Sequence, residues 1–323
     1  MPVILHEPLF ERIVSEVGDG RPVALCAVVK TRGSAPQVPG ALLLVDQAMK
    51  TAGTLGGGCV EAEVRKQAFE LLQAGRSSLL SFQLDHDFGW DDGLICGGGM
   101  DIAVLSIREP DETVPFRRAL AHIRAGEGAS IPLRVLHQDQ LVEYRVNLEP
   151  EPTLLIAGAG HVGAALAKLA AGLEFKVVVV DDRADFAKAE RLPPPIEPIA
   201  ADIEQTLRNF PINAGTYVVI VTRGHKHDEQ ALAAVIDSPA KYLGMIGSRR
   251  KIKLIFADLE AAGVKPDLLE RVHSPIGLKI NSVTVPEIAV SIAAELIATR
   301  RADRRKVVEG PLPVTSESSD AGS

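Results

Sequence analysis

The chain lacks most of the features that announce large classes of protein. Its 323 residues include three cysteines, Cys26, Cys59 and Cys96, and none forms a Cys-x-x-Cys pair. They are too few and too scattered for a disulfide framework, and they lack the paired spacing of a structural zinc site. Aromatic residues make up 4% of the chain, with the single tryptophan Trp90, so the core has to be aliphatic. No apolar run approaches the roughly 20 residues that cross a bilayer. The opening "MPVILHEPLFERI" has no basic n-region of the secretory kind. No membrane partner and a cytoplasmic location are therefore expected. The net charge is −7 without a basic block, which argues against nucleic acid, where clustered Lys and Arg supply most of the affinity.

What is present suits a soluble α/β protein. At about 100–200 residues per domain, the length predicts two domains, each able to bury its own core. Strands are expected at residues 22–30, 41–46, 78–84 and 101–107, and an apolar stripe at Val60, Val64, Ala68, Leu71 and Leu72 predicts a helix over 59–73. Cys26 lies inside the first apolar run and reads as core. A helix at 114–125 and strands at 130–136 and 141–146 follow, and "LEPEP" at 148–152 reads as a hinge. Beyond it, strands and helices alternate, which predicts βαβ units on a parallel sheet. The last helix is expected at 286–300. The domains are expected at 1–150 and 151–305. Residues 306–323, rich in Pro, Ser and Gly, are expected to be disordered.

Chemistry concentrates in a few glycine-rich stretches. In "TLGGGCVEAEV", residues 54–64, Gly56, Gly57 and Gly58 could converge backbone N–H groups on a ligand oxygen. Cys59 then stands in the first turn of a helix, where the dipole favours a thiolate, with Glu61 and Glu63 opposing it. "CGGGMD" mirrors this arrangement, with Cys96 ahead of its glycines. Two such thiols suit a soft metal, a sulfur atom or a ligand bearing both; the alternative is two small apolar residues in tight turns. Three successive glycines carry a large entropic cost, which weighs against that alternative at Cys59.

"LLIAGAGHVGAALAKLA" sets Gly158-x-Gly160-x-x-Gly163 between a strand and a helix, with His161 inside the turn. Those glycines permit a tight turn, close approach of a pyrophosphate and helix–sheet packing. Asp181, ending the next strand, is placed to accept from a ribose hydroxyl, and Arg183 either favours a 2′-phosphate or pairs with its acidic neighbours. A Rossmann-like doubly wound sheet is expected here. Its glycines serve NAD(P)-type binding or packing alone. "VTRGHKHDEQAL" places Arg223, His225, His227 and Asp228 after a further strand. The two histidines with Asp228 could ligate a metal; the reading adopted is that Asp228 caps the helix and no metal binds. "GMIGSRRK" ends another strand in Ser248, Arg249, Arg250 and Lys251, a capped, cationic helix start suited to an anion; a solvated basic turn is the alternative.

Taken in order, "GSAP…GALLLV…GTLGGGCVEAEV", "CGGGMDIAV", "LLIAGAGHVG", "VVVVDDR", "VTRGHKHD", "YLGMIGSRRK" and "SPIGLKI…PEIAVSIAAELIA" resemble the motifs of the xanthine dehydrogenase accessory family of XdhC/CoxI type, over about residues 20–300. The resemblance implies an N-terminal domain with glycine–cysteine loops and a C-terminal Rossmann domain. It further implies an accessory protein, rather than a catalyst, that binds and protects sulfurated molybdenum cofactor (molybdopterin). The partners it implies are a molybdenum hydroxylase apoenzyme, a cysteine desulfurase and a second copy of the chain in a homodimer. Under this reading Cys59 contacts molybdenum or its sulfur, and the glycine N–H groups and the turn at 248–251 suit the phosphate. Gln37 replaces the family's usual Arg, and Asn281-Ser282 its usual Gly-Ala. Two other readings remain: an NAD(P)-dependent oxidoreductase using His225 or His227 for proton transfer, and a module that only docks a hydroxylase.

Overall fold

The computed structural model describes residues 6–83, 98–302 and 307–313. The chain divides into two compact units, one built from Met1–Leu148 with Arg304–Ser323, the other from Glu149–Asp303.

In order, the first unit contains α1 (His6–Gly18), β1 (Val23–Arg32), β2 (Leu42–Asp46), β3 (Thr51–Gly53), α2 (Gly58–Ala74), β4 (Ser78–Gln83), β5 (Gly99–Ile107), α3 (Val114–Arg124), β6 (Ala129–His137) and β7 (Gln140–Leu148). The second contains β8 (Thr153–Ala157), α4 (His161–Ala171), β9 (Lys176–Asp181), β10 (Glu197–Ala200), α5 (Ile203–Asn209), β11 (Thr216–Ile220), α6 (His225–Val235), β12 (Tyr242–Met245), α7 (Arg249–Ala261), α8 (Pro266–Glu270), β13 (Val272–His273) and α9 (Val285–Arg301). The chain then returns to the first unit as β14 (Val308–Pro313).

The first unit is an eight-stranded sheet in the order β14-β7-β6-β4-β5-β1-β2-β3, antiparallel except where β4 meets β6. Strand β1, inside this sheet, is apolar from Val23 to Val29 because both faces are covered there. Val23, Leu25, Ala27 and Val29 join the core that holds α1 and α3. Ala24, Cys26 and Val28, on the alternate face, pack with Val60, Val64, Ala68 and Leu72 of α2. Each of those larger aliphatic chains is worth about 1.5–3 kcal/mol when buried. Gly75, at φ 64, ends α2 by turning its N–H back to Leu71 and Leu72. Cys26 is the core residue expected, and burial pushes its thiol up to about 12.

The tail departs from its expectation. Residues 308–313, expected to be disordered, pair antiparallel with β7, matching Val308 to Val146 and Leu312 to Glu143. The Pro and Gly content that argues for disorder is tolerable on a sheet edge, where a missing N–H costs no ladder partner. Gly310, at φ 124, takes up the irregularity in register.

The second unit is a six-stranded parallel sheet ordered β10-β9-β8-β11-β12-β13. Numbered from β8, that is the 3-2-1-4-5-6 order of the dinucleotide-binding fold. Leu155, Ala157, Val218 and Ile220 face α5, α6 and α7, and Leu154, Ile156, Tyr217 and Val219 face α4 and α9. The strand order reverses between β8 and β11, and the segments following β8, β9, β11 and β12 emerge at one edge of the sheet. Among the described residues no helix is long and apolar enough to cross a membrane.

Candidate functional site

In the first unit, three glycine-bearing segments come together at one end of the sheet. Gly56, Gly57 and Gly58 all have positive φ, at 107, 76 and 70. A Cβ on Gly56 would stand 2.8 Å from the Pro36 side chain, so this glycine is needed for packing against the "GSAP" loop. Gly98 is likewise pressed against that loop, since a Cβ there would lie 2.1 Å from the carbonyl oxygen of Ser34. Gly57 and Gly58 face open space. They turn the chain into α2 with Gly57 as its N-cap, and Cys59 lies half-buried in the first turn. Helix geometry leaves the first N–H groups of α2 without intrahelical acceptors. Cys96 and residues 84–97 around it lie outside the described residues.

The loop's convergent donors already meet an acceptor within the chain. Glu61 Oε2 receives the Thr54 hydroxyl at 2.8 Å, the Leu55 N–H at 2.9 Å and the Gly57 N–H at 3.2 Å. From the sequence alone Glu61 reads only as a local opposing charge. It lies one position beyond capping-box spacing from Gly57, so no helix-start pattern marks it. Beside the loop, Asp101 is buried in β5 and receives Arg32 Nη2 at 2.7 Å and Ser81 Oγ at 2.9 Å, which ties the ends of β1, β4 and β5 together.

In the second unit the expected positions gather at the C-terminal edge of the sheet. The three glycines after β8 divide by role. A Cβ on Gly158 (φ 111) would lie 2.6 Å from the carbonyl oxygen of Val221, and one on Gly163 would lie 1.9 Å from that of Gly158. Both are demanded by packing. Gly160, the N-cap of α4, has φ −63 and nothing within 4 Å of its missing Cβ. Neither backbone nor packing requires glycine there, and the space in front of it is free for a ligand. His161 beside it is exposed.

Asp181 is buried and already occupied. Its carboxylate accepts the Ala159 N–H at 2.7 Å, the Arg183 N–H at 3.0 Å and two guanidinium bonds from Arg183 at 2.8 Å. Burial by itself would raise its pKa; the Arg183 guanidinium and the two backbone N–H groups hold it below the usual carboxylate range. Arg183 also stacks on Phe186 at 3.7 Å. Of the two readings of Arg183, the one found is pairing with its acidic neighbour. The exposed acid is Asp182, which receives Arg223 Nη2 at 2.7 Å.

The segment after β11 corrects a sequence reading. Asp228 does not cap α6; the N-cap is Gly224, with no side-chain bond. Asp228 is fully buried, accepting the N–H and hydroxyl of Thr222 and the ammonium of Lys251. It ties the end of β11 to the start of α7. His225 and His227 belong to the first turn of α6, and among the described residues they do not join Asp228 as a metal-ligand set. After β12, Ser248 caps α7 by accepting the Lys251 N–H at 3.3 Å. With Lys251 engaged by Asp228, Arg249 and Arg250 remain exposed and without an ion-pair partner among the described residues. The N-termini of α4, α6 and α7 thus open on one edge, each with the partial positive charge that favours an anion. Asn281, one of the departures from the family pattern, has φ 60, a conformation Asn tolerates better than most residues do.

Known proteins share this architecture. The chain is 28% identical over 280 residues to the uncharacterized protein YqeB of Escherichia coli, spanning 86% of this chain but 44% of the length of that relative. It is 26% identical to a probable xanthine dehydrogenase subunit of Bacillus subtilis, over 88% of this chain and 94% of the relative. It is 22% identical to the molybdenum cofactor insertion chaperone PaoD of Escherichia coli, over 91% and 89%. A crystal structure described as a xanthine dehydrogenase from Bacillus halodurans has the same fold, with a TM-score of 0.72, 21% identity and coverage of 92% of this chain and 96% of the other. Residues 17–83 match the XdhC and CoxI family, and residues 154–296 match the XdhC Rossmann domain. With both halves of its architecture matched in order, the chain belongs to the XdhC and CoxI family.

Proposed function

We propose that the protein is a maturation factor that binds molybdenum cofactor and hands it to a molybdenum hydroxylase of the xanthine dehydrogenase type. The observation that carries this reading is the start of α2. Three successive left-handed glycines deliver a half-buried thiol to a helix N-terminus, and two of them face open space. Packing accounts for Gly56 but not for the run. A cofactor whose molybdenum is held by sulfur needs a soft contact at its metal end, and a thiol beside glycines that leave open space supplies one. Glu61 holds those donors in place and repels an anion that carries no compensating contact to Cys59. The names of two relatives, a molybdenum cofactor insertion chaperone and a probable xanthine dehydrogenase subunit, support the same reading.

In the second unit, the free space before Gly160, together with Arg223, Arg249 and Arg250 on the same edge, supports binding of a phosphate or pyrophosphate group. A dinucleotide such as NAD(P) is the second reading, favoured by the strand order and by Gly160. It meets an obstacle at Asp181, whose oxygens are already engaged and buried. Sulfuration of the cofactor by a cysteine desulfurase and pairing of two copies of the chain belong to the proposal as further steps.

Co-purification tests it. The chain, produced in a host that makes molybdenum cofactor, should carry molybdenum and a fluorescent pterin in near-equal amounts, and should activate a cofactor-free hydroxylase. Nicotinamide absorbance without pterin would support the oxidoreductase reading instead. Neither ligand, with no activation, would leave only docking.

A further inference from the structure

Two donors one turn apart on α6 meet a third from α7 in the second unit. A ring nitrogen of His225 and carboxylate oxygens of Glu229 and Asp258 all lie within 4.8 Å of one another. His225 and Glu229 are one turn apart on α6 and so face the same way. Asp258 comes from α7. Both helices are anchored by buried faces, Ala231, Leu232 and Val235 on α6 and Ile252, Ile255 and Leu259 on α7, so the donors stand on rigid supports.

Two carboxylates this close repel each other unless a cation answers them. Elsewhere in this unit cations do so: Arg183 for Asp181, Arg223 for Asp182 and Lys251 for Asp228. Among the described residues Glu229 has no ion-pair partner except His225, at 3.8 Å, and Asp258 has none. The N-terminal end of α6 opposes a cation with about half a unit of charge, which two carboxylates outweigh.

We propose that His225, Glu229 and Asp258 form a binding site for a first-row divalent transition-metal ion, with one imidazole and two carboxylate ligands. The nitrogen donor favours Zn²⁺, Co²⁺ or Mn²⁺ over Ca²⁺ and Mg²⁺, which prefer oxygen alone. Three protein ligands leave positions for water. The ion ties α6 to α7 and so fixes the two turns that open them, at Thr222 to Gly224 and at Gly247 and Ser248. The set differs from the one the sequence suggests, because His227 and Asp228 take no part.

The test uses the full-length protein, free of any histidine tag and stripped of metal with a chelator. Titration with Co²⁺ should show one saturable site, with weak visible d–d bands and no intense thiolate charge-transfer band. Zn²⁺ should compete for it and raise the melting temperature. His225→Ala and Asp258→Asn should each weaken binding at least about tenfold and abolish the rise in melting temperature, while His227→Ala leaves both intact. Metal-free melting curves matching wild type would show that the variants fold. Absence of saturable binding, a thiolate band, or affinity unchanged in both ligand variants would overturn the proposal.

Discussion

Arg223 donates to Asp182 at 2.7 Å although the strands they follow, β11 and β9, are not neighbours, since β8 lies between them. The pair therefore spans the C-terminal end of β8 and the turn at residues 158–160. An anion entering that turn competes with Asp182 for the guanidinium. Both side chains are partly exposed, so the pair is worth up to about 1 kcal/mol. Asp182→Asn should accordingly tighten binding of inorganic pyrophosphate by up to about fivefold, and Arg223→Gln should weaken it. Calorimetric titration of both variants checks this, and identical affinities would show that the pair is unrelated to the crevice.

The glycines of the same turn should separate stability from binding. Gly163→Ala forces a methyl onto the carbonyl oxygen of Gly158 and should cost about 1–3 kcal/mol or more. Gly160→Ala meets no atom, and its cost should stay below about 1 kcal/mol, set by the weaker N-cap. Its effect should appear in binding instead. Urea denaturation paired with titration by NAD, NADP and molybdenum cofactor distinguishes the two. Unchanged affinity of Gly160→Ala for all three would assign the turn to folding alone.

Asp181 should give the second unit an acid-sensitive component. Its carboxyl is held below its unfolded value of about 3.9, so the ionised form belongs to the folded state. That contribution is complete above about pH 4 and is lost as pH falls through the lower folded value. Asp181→Asn should be less stable than wild type at neutral pH by about 1.5–3 kcal/mol, the worth of hydrogen bonds to a charged group. The gap should close in acid. Denaturation midpoints measured across the acid range check the sign, and a gap of constant size would contradict it.

Cys59 should be alkylated by iodoacetamide while Cys26 stays protected, because Cys26 is fully buried with its thiol pushed up to about 12. Cys59→Ser should fold normally, yet fail to retain sulfurated cofactor and fail to activate a cofactor-free hydroxylase. Peptide-resolved labelling rates and reconstituted hydroxylase activity decide it. Wild-type activation by Cys59→Ser would reduce the glycine run to a backbone device.

Arg249 and Arg250, exposed and unpaired among the described residues at the start of α7, should act on a phosphate through charge. Replacing both by Gln should weaken binding of a phosphate-bearing ligand by about 1–3 kcal/mol. The difference from wild type should shrink as salt rises, because wild-type binding itself is screened. A deficit that persists at high salt, or none at all, would identify a solvated turn.

The sequence by itself determined what is local. Continuous apolar runs mark β1 and β8, and period-3.6 apolar stripes mark α2 and α4, because burial on two faces or one dictates the spacing along the chain. Gly158 and Gly163 announce their turn because only backbone without a Cβ fits at those two positions, and Cys26 reads as core from its flanking residues. What depends on partners distant in the chain was decided by the tertiary structure. No spacing rule shows that Asp181 is spent on the Ala159 N–H, that Asp182 reaches Arg223 across β8, or that Asp258 comes to His225. Nor does composition reveal that residues 308–313 find an open edge on β7, since a sheet edge exists only once the other strands have paired. Periodicity records which face of an element is buried. Which charge meets which is set by strand order and helix packing, and these bring together residues that the chain keeps tens to hundreds of positions apart.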